Sequence, residues 1–119
     1  GASDMRIEIA NDFSRTPGPR LRTEGKFSGE DFREKLLAPA VKAAAKEGDR
    51  VVVVLDGAAG YGTSFLEEAF GGLVRTDGYA LDALRKVLVI VADSDPELLS
   101  EVTTYLEDAE AQRVEALRK

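Results

Sequence analysis

The sequence predicts an α/β sandwich, a largely parallel sheet of about four strands with about three helices packed on it. Three observations predict it. Two short, wholly apolar and mostly β-branched runs, Val51–Leu55 and Val87–Val91, have the composition of buried strands. Segments with apolar residues at helical spacing stand between and after those runs, the order that sets consecutive strands parallel. A length of 119 residues makes one ordinary domain, enough to bury roughly two-thirds of the unfolded surface.

Taken in order, Gly1–Asp4 reads as a cloning scar with its flank, and Met5, the only methionine, as the native start of a single domain over residues 5–119. Arg6–Ala10 alternates polar and apolar, with Ile7 and Ile9 on one face, as a half-buried strand does. Arg15-Thr-Pro-Gly-Pro-Arg20 is turn chemistry, since two prolines and a glycine leave few donors for a ladder. Leu21–Thr23 then supplies a short edge strand, the fourth. Ser28-Gly-Glu-Asp31 opens a helix, with the Ser28 hydroxyl as N-cap. Phe32, Leu36, Leu37, Ala40, Val41 and Ala44 follow at helical spacing, Gly48 ends the helix, and Pro39 is expected to kink or divide it.

Val51–Leu55 is expected to be a central strand covered on both faces. Gly57–Gly62 is a glycine-rich loop, and Ser64-Phe-Leu-Glu67 matches a capping box at the head of a second helix. Phe65, Leu66, Ala69, Phe70 and Leu73 form its apolar stripe, and Gly71-Gly72 should weaken its end. Thr76–Tyr79 reads as a turn, Ala80–Arg85 as a helical turn, and Val87–Val91 as a second buried strand. Ser94-Asp-Pro-Glu97 starts the last helix, with Pro96 in the first turn and Leu98, Val102, Tyr105, Leu106, Ala109 and Val114 along one side.

Composition excludes more than it names. The chain has no His, Cys or Trp. That removes Ser-His-Asp and Cys-His nucleophile systems, an ordinary structural zinc site, disulfides and thiol redox chemistry. The missing cysteines suit a reducing compartment, no signal peptide is visible, and the expected location is cytoplasmic. No apolar run approaches the ~20 residues that span a bilayer, so no membrane partner is expected. Sixteen Lys and Arg against 22 Asp and Glu give a net charge of −6, which argues against nucleic acid. No cofactor is expected.

Four constellations carry candidate chemistry. Gly57-Ala-Ala-Gly-Tyr-Gly62 has the spacing of a phosphate-binding loop, but Thr63 stands where such a loop needs lysine, so it reads first as a tight strand-to-helix turn. Asp12, Asp56 and Asp93 each follow a predicted strand, and in a parallel sheet those ends share one edge. Their convergence would make a Mg²⁺- or nucleotide-handling enzyme, the alternative to a binding function. Arg15, Arg20, Arg22 and Lys26 form a basic cluster inside an acidic chain, a candidate anion-binding loop. Phe13, Phe27 and Phe32 read as core.

A resemblance adds to this. Asp12-Phe13-Ser14, Pro17-Gly-Pro-Arg20, Phe27-Ser-Gly-Glu-Asp-Phe-Arg33, Leu37-Ala-Pro39, Val54-Leu-Asp-Gly57 and above all Ser64-Phe-Leu-Glu-Glu-Ala-Phe-Gly-Gly-Leu-Val-Arg75 resemble the STAS-like domain family of unknown function, over most of Met5–Val91. That family is related to STAS domains, which include bacterial anti-sigma-factor antagonists. The resemblance implies a STAS-like sandwich with a four-stranded mixed sheet and a non-catalytic role in binding other proteins. The partner it implies is a kinase-like ATPase, an anti-sigma-type protein or a second copy of the chain. In the antagonists a central strand ends in Asp, and an Asp-Ser-Ser-Gly motif at the next helix start carries a serine that a partner kinase phosphorylates to switch off binding. Asp56 matches the strand-end Asp, Thr63 and Ser64 occupy the Ser-Ser positions, and Gly62 and Phe65 replace the motif Asp and Gly. Thr63 and Ser64 are thus the candidate phosphoacceptors, and Tyr61, Gly62, Phe65 and Glu68 the candidate partner surface. Glu67 and Glu68, one turn on, are expected to repel a phosphate there.

Overall fold

Three parallel strands carry the fold in the computed structural model, which describes residues 4–118. β1 (Asp4–Glu8) pairs with β2 (Arg50–Val54) and β2 with β3 (Leu88–Val91), so spatial order follows chain order. Met5, Val51 and Leu88 are register partners, as are Ile7, Val53 and Ile90. Side chains alternate between faces, so these six point one way, and Ile7, Val51 and Val53 are buried there under helices. The other face carries Arg6, Val52 and Val89, then Glu8, Val54 and Val91. Val52, Val89 and Val91 are partly exposed on it. β2 is central, as its composition predicts, but it is covered on one face only. Two neighbouring strands account for its apolar run without a second helical layer.

The helices are α1 (residues 29–47), α2 (residues 63–75), α3 (Leu81–Val87) and α4 (Pro96–Leu117). α1 begins as its sequence requires: the Asp31 amide donates to the Ser28 hydroxyl at 3.0 Å. It ends at Gly48, whose φ of 73° is left-handed and favours glycine. Pro39 does not divide it. A π-helical segment, Arg33–Leu37, lies just upstream, and the Ala38 amide reaches back to the Arg33 carbonyl. The extra residue in that turn lets the rod pass the proline ring unbroken. α2 carries a similar segment at Glu67–Gly71. In α4, Asp95 caps the first turn by accepting from the Glu97 amide at 3.2 Å, and Pro96 takes the first helical position. α4 packs on its own chain against α2, burying Val102, Leu106 and Ala109. The core between helices and sheet is led by Phe32, Phe65, Phe70, Leu37, Leu66 and Leu73, all inaccessible to solvent.

Several expectations change. Leu21–Thr23 is not a fourth strand, and three are present among the described residues. Its backbone is committed locally: the Glu24 amide donates to the Leu21 carbonyl, and the Glu30 amide to the Arg20 carbonyl. The first strand stops at Glu8, and Ile9–Phe13 wind into one π-helical turn closed by the Ser14 amide on the Ile9 carbonyl. The helical turn at Ala80–Arg85 extends to Val87, so β3 starts at Leu88. Asp4 is the first residue of β1, opposite Arg50, and Gly1–Ser3 lie outside the described residues. Among the described residues no helix is long and apolar enough to cross a membrane.

α1 meets α2 closely at Gly29, where a Cβ would stand 2.6 Å from the Phe65 carbonyl oxygen. Gly29→Ala is expected to lower the free energy of unfolding by about 1–3 kcal/mol. Gly60→Ala, where a Cβ meets nothing within 4 Å, should stay within about 0.5 kcal/mol of the parent. Urea unfolding followed by circular dichroism measures both.

Candidate functional site

The glycine loop leaves β2, crosses the end of the sheet and delivers Thr63 and Ser64 to the head of α2. Its course is fixed at three points. The Tyr61 hydroxyl donates to the Leu55 carbonyl at 2.7 Å, and its ring lies 5.9 Å from that of Phe65. The Ala59 amide donates to the Arg15 carbonyl at 2.8 Å. Asp56 accepts from the Ser94 hydroxyl at 2.5 Å, the Ser94 amide at 2.7 Å and the Asp93 amide at 3.1 Å, fastening the end of β2 to the turn before α4. The Ser94 hydroxyl and amide hold the Asp56 carboxyl below its ordinary pKa. Burial, with the Asp56 charge beside it, pushes the Tyr61 phenol above its usual range, so Tyr61 serves as a neutral donor.

Ser64 is not a cap. Gly62 is the N-cap residue, and no side chain bonds the first turn. Thr63 and Ser64 are the first two residues of α2; Thr63 is exposed and Ser64 partly so. The first bond of the helix is Leu66 amide to Gly62 carbonyl, at 3.3 Å. Neither hydroxyl has a bonding partner among the described residues, and the preceding amides of the turn project the same way, as at any helix start. The capping-box spacing was satisfied in the sequence, but the helix starts two residues earlier than that spacing requires, with Gly62 rather than Ser64 as its N-cap.

Behind this surface lies a network of charges that the sequence reading did not foresee. Arg33, 3% exposed, spans α1 and α2. Its Nη1 donates to both carboxylate oxygens of Asp77 at 3.0 Å, and its Nη2 to Glu68 Oε2 at 3.0 Å. Its Nε is buried without a partner. Glu67 receives Arg20 and Arg75, and Glu68 lies 3.5 Å from Arg20 and 3.7 Å from Arg75. The paired glycines belong to this network. A Cβ on Gly72 would lie 2.5 Å from Arg33 Nε, and one on Gly71 2.4 Å from Glu67 Oε2. They do not weaken a helix end; they admit the guanidinium and carboxylate between the helices. One signal was available in the sequence: Glu68 stands at helical spacing between Phe65 and Gly72, on the apolar stripe. Its partners Arg33 and Asp77, distant in the chain, gave none.

The other candidates separate. Phe65 and Glu68 are interior, 0% and 7% exposed, so they cannot form a partner surface; Tyr61 is half-buried and Gly62 exposed. The basic loop is largely self-paired. Arg20 is held by Glu67 and Glu68, and Arg22 by Glu30, Asp31 and Glu34. Only Arg15 and Lys26 of that cluster have no carboxylate partner among the described residues, so the four do not form one anion site. Asp12 turns back to accept from the Glu8 amide at 2.7 Å, while Asp56 faces Ser94. Among the described residues no group of three or more acidic, His or Cys side chains is placed to hold a metal. Phe32 is core and Phe13 half-buried, but Phe27 is 44% exposed with φ at 56°, the left-handed region that disfavours an aromatic residue. Its ring meets Phe13 edge-on at 5.7 Å, and Phe13 lies 6.2 Å from Phe65, so a row of rings joins this loop to the glycine loop.

The chain is a mixed α/β domain with a small parallel three-stranded sheet and helices packed on it. The sequence model of the family described as "STAS-like domain of unknown function" matches residues 28–98, more than half of the chain. The chain belongs to that family. The matched segment runs from the Ser28 cap into α4, and takes in the whole glycine loop and α2. No curated protein and no solved structure matches the chain.

Two outcomes test this site. Arg33→Ala strands Glu68 in the interior and is expected to cost about 3–5 kcal/mol of stability in urea. Burial works against the Glu67 carboxylate, but bonds from Arg75 and Arg20 prevail and lower its pKa from 4.5. A lowered folded pKa stabilises the fold fully above pH 4.5, and that stability is lost as pH falls through the folded value. Glu67→Gln should therefore flatten the fall in thermal midpoint below pH 4.5, while lowering the midpoint at neutral pH.

Proposed function

We propose that this domain is a non-catalytic regulatory module that binds a partner protein at the head of α2, and that phosphorylation of Thr63 or Ser64 switches that binding. The observation that carries the reading is the freedom of the two hydroxyls. They stand in the exposed first turn with Gly62 as cap, so neither is committed to holding the helix. A phosphate there would meet unpaired amides and the positive end of the helix dipole. The expected repulsion from Glu67 and Glu68 is weak, because Arg20, Arg33 and Arg75 already neutralise them. Family membership supports a protein-binding role, with a kinase-like ATPase or anti-sigma-type protein as the partner class. The surface includes Gly60, Gly62 and Thr63, with Tyr61 as a half-buried wall and Phe27, the one exposed aromatic ring among the described residues, at the far end of the ring row.

The chain recovered from its source cells is expected to carry one phosphoryl group on the tryptic peptide 51–75, removed by Thr63→Ala with Ser64→Ala. Affinity capture with the parent chain should retain a partner that the Thr63→Glu, Ser64→Glu chain releases, with circular dichroism unchanged. An unmodified peptide together with identical captured proteins from both chains overturns the reading.

A further inference from the structure

The two edges of the sheet are built differently. β1 places Asp4, Arg6 and Glu8 along its length, and alternating charges of this kind deter another strand from pairing there. β3 is Leu88-Val89-Ile90-Val91, without charge, proline or bulge, and all four residues are partly exposed. Val91 faces its neighbour, because its carbonyl accepts from the Leu55 amide at 2.8 Å. Backbone groups alternate along a strand, so the Leu88 carbonyl and the Ile90 amide and carbonyl point away from the sheet, while the Leu88 amide is already bonded to the Leu84 carbonyl at the end of α3. An apolar cleft of about 170 Å³ runs beside this edge, lined by Leu81, Leu84, Leu88, Ile90, Leu99 and Leu106, with Leu99 41% exposed. On the helix-free face Val54 is buried and Val52, Val89 and Val91 are partly exposed, and of these Val89 and Val91 lie at this edge.

Charge selects the occupant. Arg85 and Lys86 precede β3, Asp93 and Asp95 follow it, and all four are exposed. Arg85 is only loosely engaged within the chain, at 3.7 Å from Asp82 and 3.9 Å from Glu107. A second β3 laid antiparallel sets the basic end of each strand against the acidic end of the other, twice over. A parallel copy would set like against like. We propose that the β3 edge is a homodimer interface, through which two copies join antiparallel across a two-fold axis into one six-stranded sheet.

The geometry fixes the register. A two-fold axis normal to the sheet keeps both helical layers on one side, so opposed residues must belong to the same face. With the axis at Val89, the Ile90 amide of each copy donates to the Leu88 carbonyl of the other, which gives two hydrogen bonds across the seam and leaves the Leu88 amide on Leu84. Arg85, in the last turn of α3, and Asp93, just past β3, then lie on opposite sides of the axis, so the basic end of each strand meets the acidic end of the other. The inward side chains of the second strand come alongside the apolar cleft, and the two sets of valines become continuous. This surface lies on a different element from Thr63 and Ser64, and its existence does not depend on the switch proposed for them.

Sedimentation velocity of the full chain is expected to show a concentration-dependent dimer. The chain has no cysteine, so Val89→Cys introduces a single thiol. Residues facing each other in a non-hydrogen-bonded pair lie about 4.5 Å apart at Cα, within disulfide range. Oxidised Val89→Cys should run as a covalent dimer, and Val52→Cys, on the same face but in the central strand, as a monomer. Ile90→Pro removes an outward N–H and leaves pairing with β2 intact, so it should abolish the dimer without changing circular dichroism. Arg85→Asp or Asp93→Arg alone should weaken association about tenfold, and the two together should restore it. A monomer at every concentration, equal crosslinking of the two cysteine variants, or failure of the double exchange to restore the dimer overturns the proposal.

Discussion

The guanidinium of Arg33 is the constraint around which the helical layer is arranged. A charge inside a protein is tolerated only when its partners are close and well aimed. Glu68, in the middle of α2, and Asp77, in the turn after it, meet that condition. Satisfying it requires α2 to approach α1 without side chains in the way, which explains Gly72 at the guanidinium and Gly29 at the Phe65 carbonyl. Once α2 is fixed against α1, Phe65 is fixed beneath Tyr61, and the glycine loop has one path to the helix head. The exposed hydroxyls are therefore placed by an ion pair buried well behind them.

This divides the most distinctive stretch of the sequence, Ser64–Arg75, into two roles. Glu67, Glu68, Gly71, Gly72 and Arg75 build the network, and Phe65, Leu66, Phe70 and Leu73 fill the core. The head of the segment, with Thr63 before it, and Arg75 at its end face outward. Asp56 belongs on the structural side as well, since three bonds to the Asp93–Ser94 turn occupy its carboxylate. The family's recognisable residues thus describe how the platform is held more than what it touches.

Much of the fold was legible because its determinants are local. The Ser28 cap, the left-handed Gly48, the Asp95-Pro96 helix start and the valine runs each act within a few residues, and each stands where the sequence places it. What was not legible depends on partners far along the chain. Leu21–Thr23 has strand-like composition, yet its neighbours' backbone groups are claimed by Glu24 and Glu30. Arg20 and Arg22 looked like a free basic loop because the carboxylates that neutralise them lie on α1 and α2. Ser64 looked like a cap because Ser-x-x-Glu fits one, and only the true start of α2 at Thr63 shows that it is not. Thr63 and Ser64 do stand at the start of α2, but the ion pairs behind them were not legible because their members lie far apart in the chain.

The all-parallel order of the sheet also bears on how the chain reaches this state. No two strands are joined by a hairpin, so each pairing closes a loop of a whole helix or more before its first hydrogen bond forms. β2 cannot be completed until β3, which follows three of the four helices in the chain, has arrived. Local helix formation in α1 and α4 therefore has a head start over the sheet. During that interval the valines of β2 and the bare flank of β3 are the most adhesive parts of an unfinished chain. Productive maturation of this domain is a race between closure of its last strand and capture of that strand by a stranger.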